Sequence, residues 1–517
     1  MHTPSHTRRQ ALVGTTLAAC ALGLGLATAP AHAQNAKVLT IGMPFSPLSL
    51  DPSLSGNGRA GVHLSPAYEP LIRTQADGSF APALATEWQL SPDSKEATFT
   101  LRPNAAFSDG EPVTAEAVKK SIEYFVGKKG PFAANLATLT AFEVLDKYKF
   151  KVKLSVPQPG LLSLFDAYFN SGYVISPKAL ANPAQLGSGT FGAGPYRLDP
   201  AATISGKSYT YLPNPHYYDK ARIRWDKVVI QVFEDQNAGI QSLKAGQLKV
   251  LVSDPFTGNA NAANLPKDLR TVSDPVQWTG LVLADRDGVF QPELKEVRVR
   301  QAINHALDRK LISQALFGQM AEPTAQLQSK GFLGHDPEIE KRYPYNPEKA
   351  KALLAEAGYP NGFELRLQYV NNTLSRFVTM AIAGQLKKVG IRTVTEEFQN
   401  FGAMLAAGRN KKMGALMFNS NSGVPTLARF QTLDPKGSLN FYGSEDPTLT
   451  KLIGEAAVLP LNKAEAAWKK VYGHVAELAW FAPVVASHTV YFVSNSVKVP
   501  RIGQSVVIDV IDMVPAK

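Results

Sequence analysis

The hydrophobic positions of this sequence switch repeatedly between a spacing of two residues and the helical spacing of three to four. The first spacing is typical of half-buried strands, and the second is typical of helices with one buried face. No internal repeat or low-complexity segment interrupts this mixture after residue 36. The pattern therefore predicts an α/β fold that is α+β in part. Strands are predicted at 37–43, 97–101, 148–154, 228–233 and 391–396, and helices at 114–125, through Ile240 and Leu243, at 296–317 and at 377–389.

Residues 346–369 contain the most complete set of local signals in the chain. An Asn-Pro pair at the start is typical of a helix N-terminus, and Gly358 is typical of a left-handed helix end. An Asn-Gly pair then predicts a tight turn, and residues 363–369 alternate as a half-buried strand does. Local physics predicts an ordinary helix-to-strand connection here. Stretches rich in Pro, Gly and Asn at 181–200 and 253–268 are predicted to be loops or domain boundaries.

Residues 1–33 have the composition of an export leader. Arg8 and Arg9 precede a segment of small and apolar residues, and Ala-His-Ala before Gln34 has the form of a signal-peptidase site. Glycine and threonine interrupt the segment, which favours a cleaved signal peptide over a permanent membrane span. The twin-arginine and the general secretion routes are left equally open. Leu-Ala-Ala-Cys, ending at Cys20, resembles a lipoprotein cleavage box, but a cysteine within an apolar leader is the favoured interpretation.

Cysteine content and charge narrow the class of protein further. Cys20 is the only cysteine among 517 residues, so a product cleaved after Ala33 has no disulfide, thiolate nucleophile or cysteine-ligated metal. Such a protein depends on its hydrophobic core, and its length suffices for about three domains of ~150 residues each. The formal net charge of +11 comes from scattered basic residues. We interpret it as a solvated surface with a mildly positive field, and no nucleic-acid partner is expected.

The sequence contains no complete motif for catalysis or metal binding. Residues 187–192 match the dinucleotide-binding expression, but Pro195 would remove an amide from the helix start that such a site needs. The histidines beyond the leader include no closely spaced pair, which argues against a zinc site. No nucleophile elbow is present, and no spacing of acids identifies a catalytic pair. These observations favour a binding protein over an enzyme, and neither a cofactor nor a metal is predicted.

Five longer segments carry a more specific signal when they are taken together. They are APALATEWQLSPDSKEATFTLRPNAAFSDGEPVTAEAVKKSI (81–122), GAGPYRL (192–198), VRVRQAINHALDRKLI (297–312), YNPEKAKALLAEAGYPNGFEL (345–365) and LKKVGI (386–391). In this order and spread over nearly the whole chain, they resemble the extracellular solute-binding proteins of family 5. That family comprises the dipeptide-, oligopeptide- and nickel-binding components of ABC importers. A periplasmic location is therefore implied, and the connection at 346–369 is implied to be a scaffold element.

The resemblance implies a periplasmic-binding-protein-like fold with two lobes joined by a two-strand hinge. Lobe one would comprise residues 37–280, with an extra subdomain inserted at 81–189. Lobe two would comprise 281–484, and 485–517 would return to lobe one. Such a hinge lets a ligand stabilise the closed state through contacts with both lobes. The closed form, expected to be a monomer, would deliver its solute to an ABC permease and ATPase complex in the inner membrane.

One segment departs from the family's pattern. The family's peptide binders present an aspartate from lobe two, within a Trp-x-x-Asp-x-x-Asp-Pro-like run, to pair the ammonium group of the peptide. The matching segment here is 417–430, in which Phe418 stands at the aromatic position and Asn421 at the position of the acid. A buried ammonium without its carboxylate costs about 3–5 kcal/mol. We therefore expect that a free α-amino group is not recognised in the usual way, unless Asp434 or Glu445 supplies the charge.

The resemblance also implies where a ligand would be contacted. Aromatic faces supply apolar area at small entropic cost, and Arg376 would offer a bidentate contact to a ligand carboxylate. Arg376 is interpreted equally well as an exposed arginine at a helix start. Tyr68 is interpreted equally well as a core residue. The expected contacts are Phe45, Ser46, Tyr68, Trp278, Thr279, Tyr369, Asn371, Arg376, Phe418, Asn419 and Asn421.

The leading hypothesis is a periplasmic receptor that carries a peptide-like or other small polar solute to an ABC importer. Binding of a nickel chelate or of haem remains open within the same family, although no histidine cluster or methionine-rich stretch favours either. A secreted hydrolase is the alternative from a different class, and the missing catalytic motifs argue against it.

Overall fold

Strands and helices alternate along the chain in the computed structural model, which describes residues 36–55, 61–158, 160–423, 429–505 and 507–516. The strands are β1 Val38–Met43, β2 Ile72–Thr74, β3 Phe80–Pro82, β4 Ala85–Leu90, β5 Glu96–Leu101, β6 Leu139–Asp146, β7 Lys149–Leu154, β8 Tyr196–Leu198, β9 Ser208–Pro213, β10 Lys227–Val232, β11 Val250–Ser253, β12 Leu269–Leu283, β13 Ala321–Pro323, β14 Glu364–Val370, β15 Arg392–Phe398, β16 Ala415–Asn421, β17 Phe481–Ser494, β18 Val497–Lys498 and β19 Val514–Pro515. The α-helices are α1 Gly61–Leu64, α2 Ala115–Gly127, α3 Pro177–Leu180, α4 Gln236–Lys244, α5 Pro255–Ala262, α6 Val297–His305, α7 Arg309–Ile312, α8 Pro337–Glu340, α9 Pro347–Glu356, α10 Thr373–Lys387, α11 Phe401–Arg409, α12 Pro447–Ala457 and α13 Glu465–Glu477.

The two longest strands, β12 and β17, form the centre of a mixed sheet. They run antiparallel and pair from Leu269 opposite Ser494 to Val282 opposite Phe481. The strand order is β15-β14-β16-β12-β17-β11-β1-β10-β9-β8, and β13 pairs with β17 outside this path. We call the half of the molecule around β8 to β11 and β1 lobe one, and the half around β14 to β16 lobe two. Because β12 and β17 belong to both halves, they are the covalent and hydrogen-bonded link between the lobes.

Lobe one carries a separate antiparallel sheet with the order β4-β5-β7-β6. Alternate residues of β5 and β7 are buried, and the rings of Phe99 and Phe150 stack with centroids 5.0 Å apart. Helix α2 contributes buried apolar residues to the same core, and Thr114 caps this helix by accepting from the Ala117 N–H. This sheet lies within the predicted inserted subdomain at 81–189, whose boundaries, like those of the lobes, stay a prediction.

The helix-to-strand connection predicted at 346–369 is confirmed. The Asn346 side chain accepts a hydrogen bond from the Lys349 N–H and so caps α9. Gly358 has a φ of +91°, the left-handed conformation that ends a helix at little cost when the residue is glycine. Strand β14 begins at Glu364, and α9 packs Ala350 into the core of lobe two.

Two predicted elements are wrong. The helical pattern at 296–317 is not one helix, because the Asp308 side chain accepts from the Leu311 N–H and caps a new helix, α7, after α6 has ended. The predicted loop at 253–268 contains α5, which begins with Pro255 behind a capping Asp254. In both cases a single aspartate placed before a helix start outweighs the wider pattern of the segment.

The leader predicted at 1–33, with Cys20, lies outside the described residues, as do residues 424–428 of the segment at 417–430. Among the helices that the structure describes, none combines the length and the apolar character that crossing a bilayer requires.

Candidate ligand-binding site

A cavity of about 700 Å³ is lined by residues of both lobes. Lobe one contributes the β2–β3 hairpin, residues 163–169 and residues 504–505, whereas lobe two contributes 331–337 and 461–469. Small-molecule sites usually measure about 300–1,000 Å³. A groove of about 670 Å³ is lined by residues of lobe one alone. Since binding can drive a hinge only through contacts that differ between its two states, the cavity that touches both lobes is the candidate site.

Asp166 is a buried acid on the lobe-one wall of this cavity. It follows a short 3-10 helix, Leu161–Phe165, whose apolar side chains anchor it in the core of the inserted subdomain. One carboxylate oxygen accepts from the Tyr168 N–H at 2.7 Å, and the other accepts from the Thr74 hydroxyl at 2.5 Å. Asp166 is only 7% exposed, and this burial raises its pKa to about 7. The cavity therefore has a carboxylate whose charge depends on conditions close to neutrality.

A smaller space of about 40 Å³, which we call the inner chamber, adjoins the cavity. The two spaces share Thr74, Asp166, Tyr168 and Ser505 as wall residues. Deeper in lobe one, the walls of the inner chamber include Gly61, Arg73, Ala167, Tyr173, Val507 and Asp509. The inner chamber is thus a polar recess at the lobe-one side of the candidate site.

The lobe-two wall begins with the first turn of α13. Glu465 accepts a hydrogen bond from the Gly334 N–H at 3.1 Å and pairs with Lys469 at 3.3 Å. Trp468 and Tyr472 on the same helix are buried in the core of lobe two and hold the helix in place. The lobe-two wall therefore carries one acid and one base that offset each other.

Among the described residues, Asn421 and Gln504 make hydrogen bonds that join the lobes across the candidate site. The Asn421 Nδ2 donates to the Tyr168 hydroxyl at 2.6 Å, while its Oδ1 accepts from Gln277 Nε2 at 2.9 Å. The Gln504 Nε2 donates to the Gly331 carbonyl at 3.3 Å. We call the contact between Asn421 and Tyr168 the interlobe latch.

Removing the interlobe latch is expected to shift the lobes toward an open arrangement. A neutral hydrogen bond contributes a net ~1 kcal/mol, so Asn421→Ala and Tyr168→Phe should each lower the closed population a few-fold. The double variant should cost less than the sum of the two, which a double-mutant cycle on solute affinity or on small-angle scattering would reveal. Additive effects would show that the two side chains do not act on each other.

The expected contacts on the hinge lie close together. Trp278 packs against Phe418 and Phe481, with ring centroids 6.3 Å and 5.6 Å away. Thr279 is buried, with its hydroxyl 2.9 Å from that of Ser487, and it pairs opposite Asn419. Trp278 and Asn421 line a separate space of about 10 Å³, too small for more than a single water.

Of the expected contacts of lobe one, Phe45 and Ser46 are half-buried and Tyr68 is buried. The Phe45 carbonyl lies 3.2 Å from His63 Nε2, and the Ser46 hydroxyl lies 2.9 Å from that of Tyr209. Tyr68 is fully buried, and its hydroxyl accepts from the Phe191 N–H. In this structure Tyr68 supports the fold of lobe one.

The remaining expected contacts surround Glu397 at the ends of β14 and β15. The Tyr369 hydroxyl donates to Glu397 at 2.9 Å, and Arg376 donates to Asn371 at 3.1 Å and to Glu397 at 3.5 Å. Arg376 is half exposed. The structure therefore places this group together, but apart from the residues that line the interlobe cavity.

None of the expected contacts is among the residues that line the interlobe cavity, and only Asn421 bonds to one that does. They stay predictions. Of the two alternative acids, Asp434 pairs with Arg429 at 3.1 Å, and Glu445 is exposed just before α12. The cavity residues come from loops, from a hairpin and from one helix turn that carry no motif, and only the fold brings them together.

Metal binding receives no support from the geometry. Within the part of the chain that the structure describes, no three His, Cys, Asp or Glu side chains converge as metal ligands would. At the cavity, Glu465 is paired with Lys469.

Comparison with known proteins adds a family match. Residues 79–434 match the model of the bacterial extracellular solute-binding proteins, family 5 middle region. A candidate ABC transporter peptide-binding protein of Brucella ovis is 29% identical over 321 residues, which is 60% of this chain. That match spans 59% of the relative's own length, less than two thirds.

Two further comparisons cover more of the chain. The nickel-binding periplasmic protein of Escherichia coli is 26% identical over 492 residues, covering 88% of this chain and 90% of that protein. The periplasmic binding protein AgaA of A. tumefaciens R10, solved with agropinic acid, superposes with a TM-score of 0.80 at 24% identity. That superposition covers 93% of this chain and 99% of the other, so the two proteins have the same fold.

Proposed function

The chain belongs to the bacterial extracellular solute-binding proteins of family 5, and on this premise we propose that it is the periplasmic binding component of an ABC importer. Its solute would be a small polar or peptide-like molecule that is carried and not converted. The observation that supports this proposal most directly is the cavity of about 700 Å³ with walls from both lobes. Relatives named for peptide, nickel and glutathione binding support the same class.

The mechanism follows from the strands that join the lobes. Strands β12 and β17 pass from one lobe to the other, and their pairing has irregularities between Pro275 and Gln277 and between Thr279 and Gly280. Such irregularities locally bend and twist a strand, so these are the positions where we expect the lobes to pivot. A solute that contacts both walls favours the closed state by its differential affinity for that state.

The interlobe latch is too weak to keep the lobes closed by itself. One or two neutral hydrogen bonds contribute ~1 kcal/mol each, which changes a population ratio by about fivefold. Moving an equilibrium from mostly open to mostly closed takes about 5.5 kcal/mol of differential binding. The solute must therefore provide most of the closing free energy, and this makes the closed form a signal of occupancy that a membrane permease and its ATPase can read.

The proposed receptor acts as a monomer without catalytic activity. At the cavity the Asp166 carboxylate accepts from the Thr74 hydroxyl and from a backbone amide, and we assign both contacts to the binding wall. The neighbouring Glu465 is paired with Lys469. Nickel binding, which one relative's name suggests, lacks a specific observation in its favour among the described side chains.

Solute-dependent closure is the direct test of this function. Because Cys20 is the only native cysteine, Ser79→Cys and Asn462→Cys in a Cys20→Ser background place two labels at exposed edges of the cavity, one on each lobe. Native mass spectrometry would first identify a co-purified solute. We expect the label distance to shorten when that solute is returned to the emptied protein.

A matched label pair within lobe two, at Lys451 and Asn462, provides the control. Its distance should stay constant, because both positions belong to the same lobe. A solute that binds without changing the first distance would contradict the carrier function, as would chemical conversion of the solute by the purified protein.

A further inference from the structure

The inner chamber lies beside a surplus of negative charge. Arg73 pairs with Asp509 at 2.7 Å and with Glu69 at 3.4 Å, and Arg222 pairs with Asp512 at 3.1 Å. These two arginines therefore meet three carboxylates before Asp166 is counted. Asp166 has no basic side chain within ion-pair distance among the residues that the structure describes, and burial raises the pKa of neighbouring Asp509 as well. A fourth carboxylate thus faces the inner chamber without a cation.

The Tyr173 hydroxyl is an independent sign that this recess is incomplete without a ligand. Tyr173 is 2% exposed, and its hydroxyl has no hydrogen-bond partner among the described residues. A buried hydroxyl left without a partner costs ~1–3 kcal/mol, so nearly all of them are satisfied in folded proteins. Tyr173 lines the same chamber as Asp166. A donor that enters the chamber could satisfy the tyrosine oxygen and the carboxylate together.

We infer that the inner chamber receives a primary ammonium group of the solute, with the Asp166 carboxylate as its counter-ion and the Tyr173 hydroxyl as a second acceptor. This inference rests on the proposed carrier function and specifies the class of solute. An ammonium has three donors and no acceptor, which matches the oxygen atoms of Tyr173 and Asp166. Arg73 Nε, which also lacks a hydrogen-bond partner among the described residues, is a donor on the same wall and would need an acceptor elsewhere on the solute. The Thr74 hydroxyl, which donates to Asp166, keeps an acceptor position for the third donor.

The size of the recess selects among cationic groups. A space of about 40 Å³ accommodates about three water-sized groups, enough for an aminomethyl end of a larger molecule. A trimethylated or acetylated nitrogen needs more room, and acetylation also removes the charge. The rest of the solute would extend into the adjoining cavity of about 700 Å³.

This arrangement differs from the one that the family resemblance implies. The lobe-two position of the expected acid is Asn421, and both of its polar atoms are already used, by Gln277 and by Tyr168. Asp434, the alternative acid of lobe two, is held by Arg429. Asp166, a buried carboxylate that lines the candidate site without a basic partner among the described residues, is on the opposite wall, in lobe one. An ammonium would therefore be recognised from lobe one, while lobe two closes over the other end of the solute.

The test compares amines with their acetylated forms. The probes are a mixture of alanine peptides of two to five residues with putrescine and cadaverine, and the same mixture after complete N-acetylation. Native mass spectrometry of the full chain should show bound species from the untreated mixture only. For the probe that binds best, calorimetry should show that Asp166→Asn lowers affinity by about 100-fold and Tyr173→Phe by about fivefold.

Asp166→Asn retains an oxygen for the Tyr168 N–H and an amide for Thr74, so the wall keeps its hydrogen bonds and loses only its charge. The matched control is Asp93→Asn, an exposed acid of lobe one that does not line the cavity, which should leave affinity within twofold. Melting curves of each variant would verify that it folds.

The outcomes separate this inference from the carrier function. Equal binding of acetylated and untreated probes would overturn the ammonium site and leave the carrier function standing. Binding of neither mixture, or full affinity in Asp166→Asn, would also overturn the ammonium site. The carrier function has a separate test. It would be contradicted if the native solute bound and left the interlobe label distance unchanged.

Discussion

Replacing Asp166 by asparagine is expected to make the empty protein more stable at pH 8 and to leave its stability almost unchanged at pH 4. Burial raises the pKa of this carboxyl from its ordinary value of 3.8 to about 7. Ionisation of Asp166 in the folded protein is therefore unfavourable, and asparagine avoids it. The free energy of unfolding, measured with urea at both pH values, is the quantity to compare between the variant and the native chain.

The direction of this stability change follows from the pH range in which Asp166 holds its proton in the folded and in the unfolded chain. Below about pH 4 the carboxyl is protonated in both the folded and the unfolded chain, and it contributes no difference. Between about pH 4 and pH 7 the unfolded chain releases its proton first, so the native protein loses stability as the pH rises. Above pH 7 this loss is complete. A pKa difference of about three pH units corresponds to at most about 4 kcal/mol, which is the largest gain that the substitution can bring.

Asp77 provides the contrast in the same cavity. Its hydrogen bonds from Ser79 lower its pKa, so its charged form is favoured in the folded protein and Asp77→Asn should destabilise slightly at pH 8. If Asp166→Asn instead lost stability equally at both pH values, Asp166 would be an ordinary hydrogen-bond acceptor. In that case the position of Asp166 at the cavity would not indicate a role for its charge in binding. If removal of the charge stabilises the protein and also lowers its affinity for amines, Asp166 serves binding rather than the stability of the fold.

Replacing Arg309 by methionine is expected to lower the free energy of unfolding by about 3–5 kcal/mol. Arg309 is 8% exposed, and its guanidinium donates to the carbonyls of Thr324, Pro483, Asn304 and Tyr343 and to the Asn304 side chain. Burial lowers its pKa only to about 10, so it stays charged at neutral pH. Methionine fills much of the space but leaves the buried carbonyls without donors.

The loss of stability should be concentrated where β17 pairs with β12. Pro483 lies on β17 opposite Gly280 of β12, so hydrogen exchange of the amides near this pair should accelerate more than elsewhere in lobe two. The control is Arg298→Met on α6, an exposed arginine with only a 3.8 Å contact to Glu296, which should change stability by less than about 0.5 kcal/mol. Equal costs for the two arginines would show that the buried hydrogen bonds contribute no net stability.

Local elements were the most predictable part of the fold. The connection at 346–369 was predicted closely because its cap, its glycine and its strand alternation all favour the same structure. The pattern at 296–317 was misleading, since apolar residues at helical spacing continue through Asp308 although that side chain starts a new helix. Periodicity identifies which residues are buried, but a capping side chain decides where a helix begins.

The segment 297–312, which contributed to the family resemblance, has a structural role. Arg300 donates to the carbonyls of Leu294, Lys295 and Leu478, and Asn304 donates to the carbonyl of Phe481. Together with Arg309, these side chains fix the start of β17 against lobe two. A motif of this kind can identify a family without identifying its ligand, because the residues that it contains hold the scaffold and do not line the cavity.

Sequence patterns do not predict the residues of the candidate site, for a physical reason. Thr74, Asp166 and Ser505 are far apart in the chain and meet only because the C-terminal segment returns to lobe one after β17. Thr74 ends a three-residue strand, Asp166 follows a short 3-10 helix and Ser505 ends another, so none of them lies in an element long enough to show a period. What distinguishes Asp166 is burial without a basic partner, and burial of a loop residue is a property of the folded chain.

The position of β17 also determines when the molecule can finish folding. This strand lies between β12 and β11, yet it is made almost last, at residues 481–494. A nascent chain on the ribosome therefore has two neighbouring strand edges that wait for a partner still to be translated, and neither half of its main sheet can be completed. The main sheet can therefore be completed only after nearly the whole chain has been synthesised. Truncation before β17 would leave both of these edges unpaired and would expose the protein to chaperones and proteases.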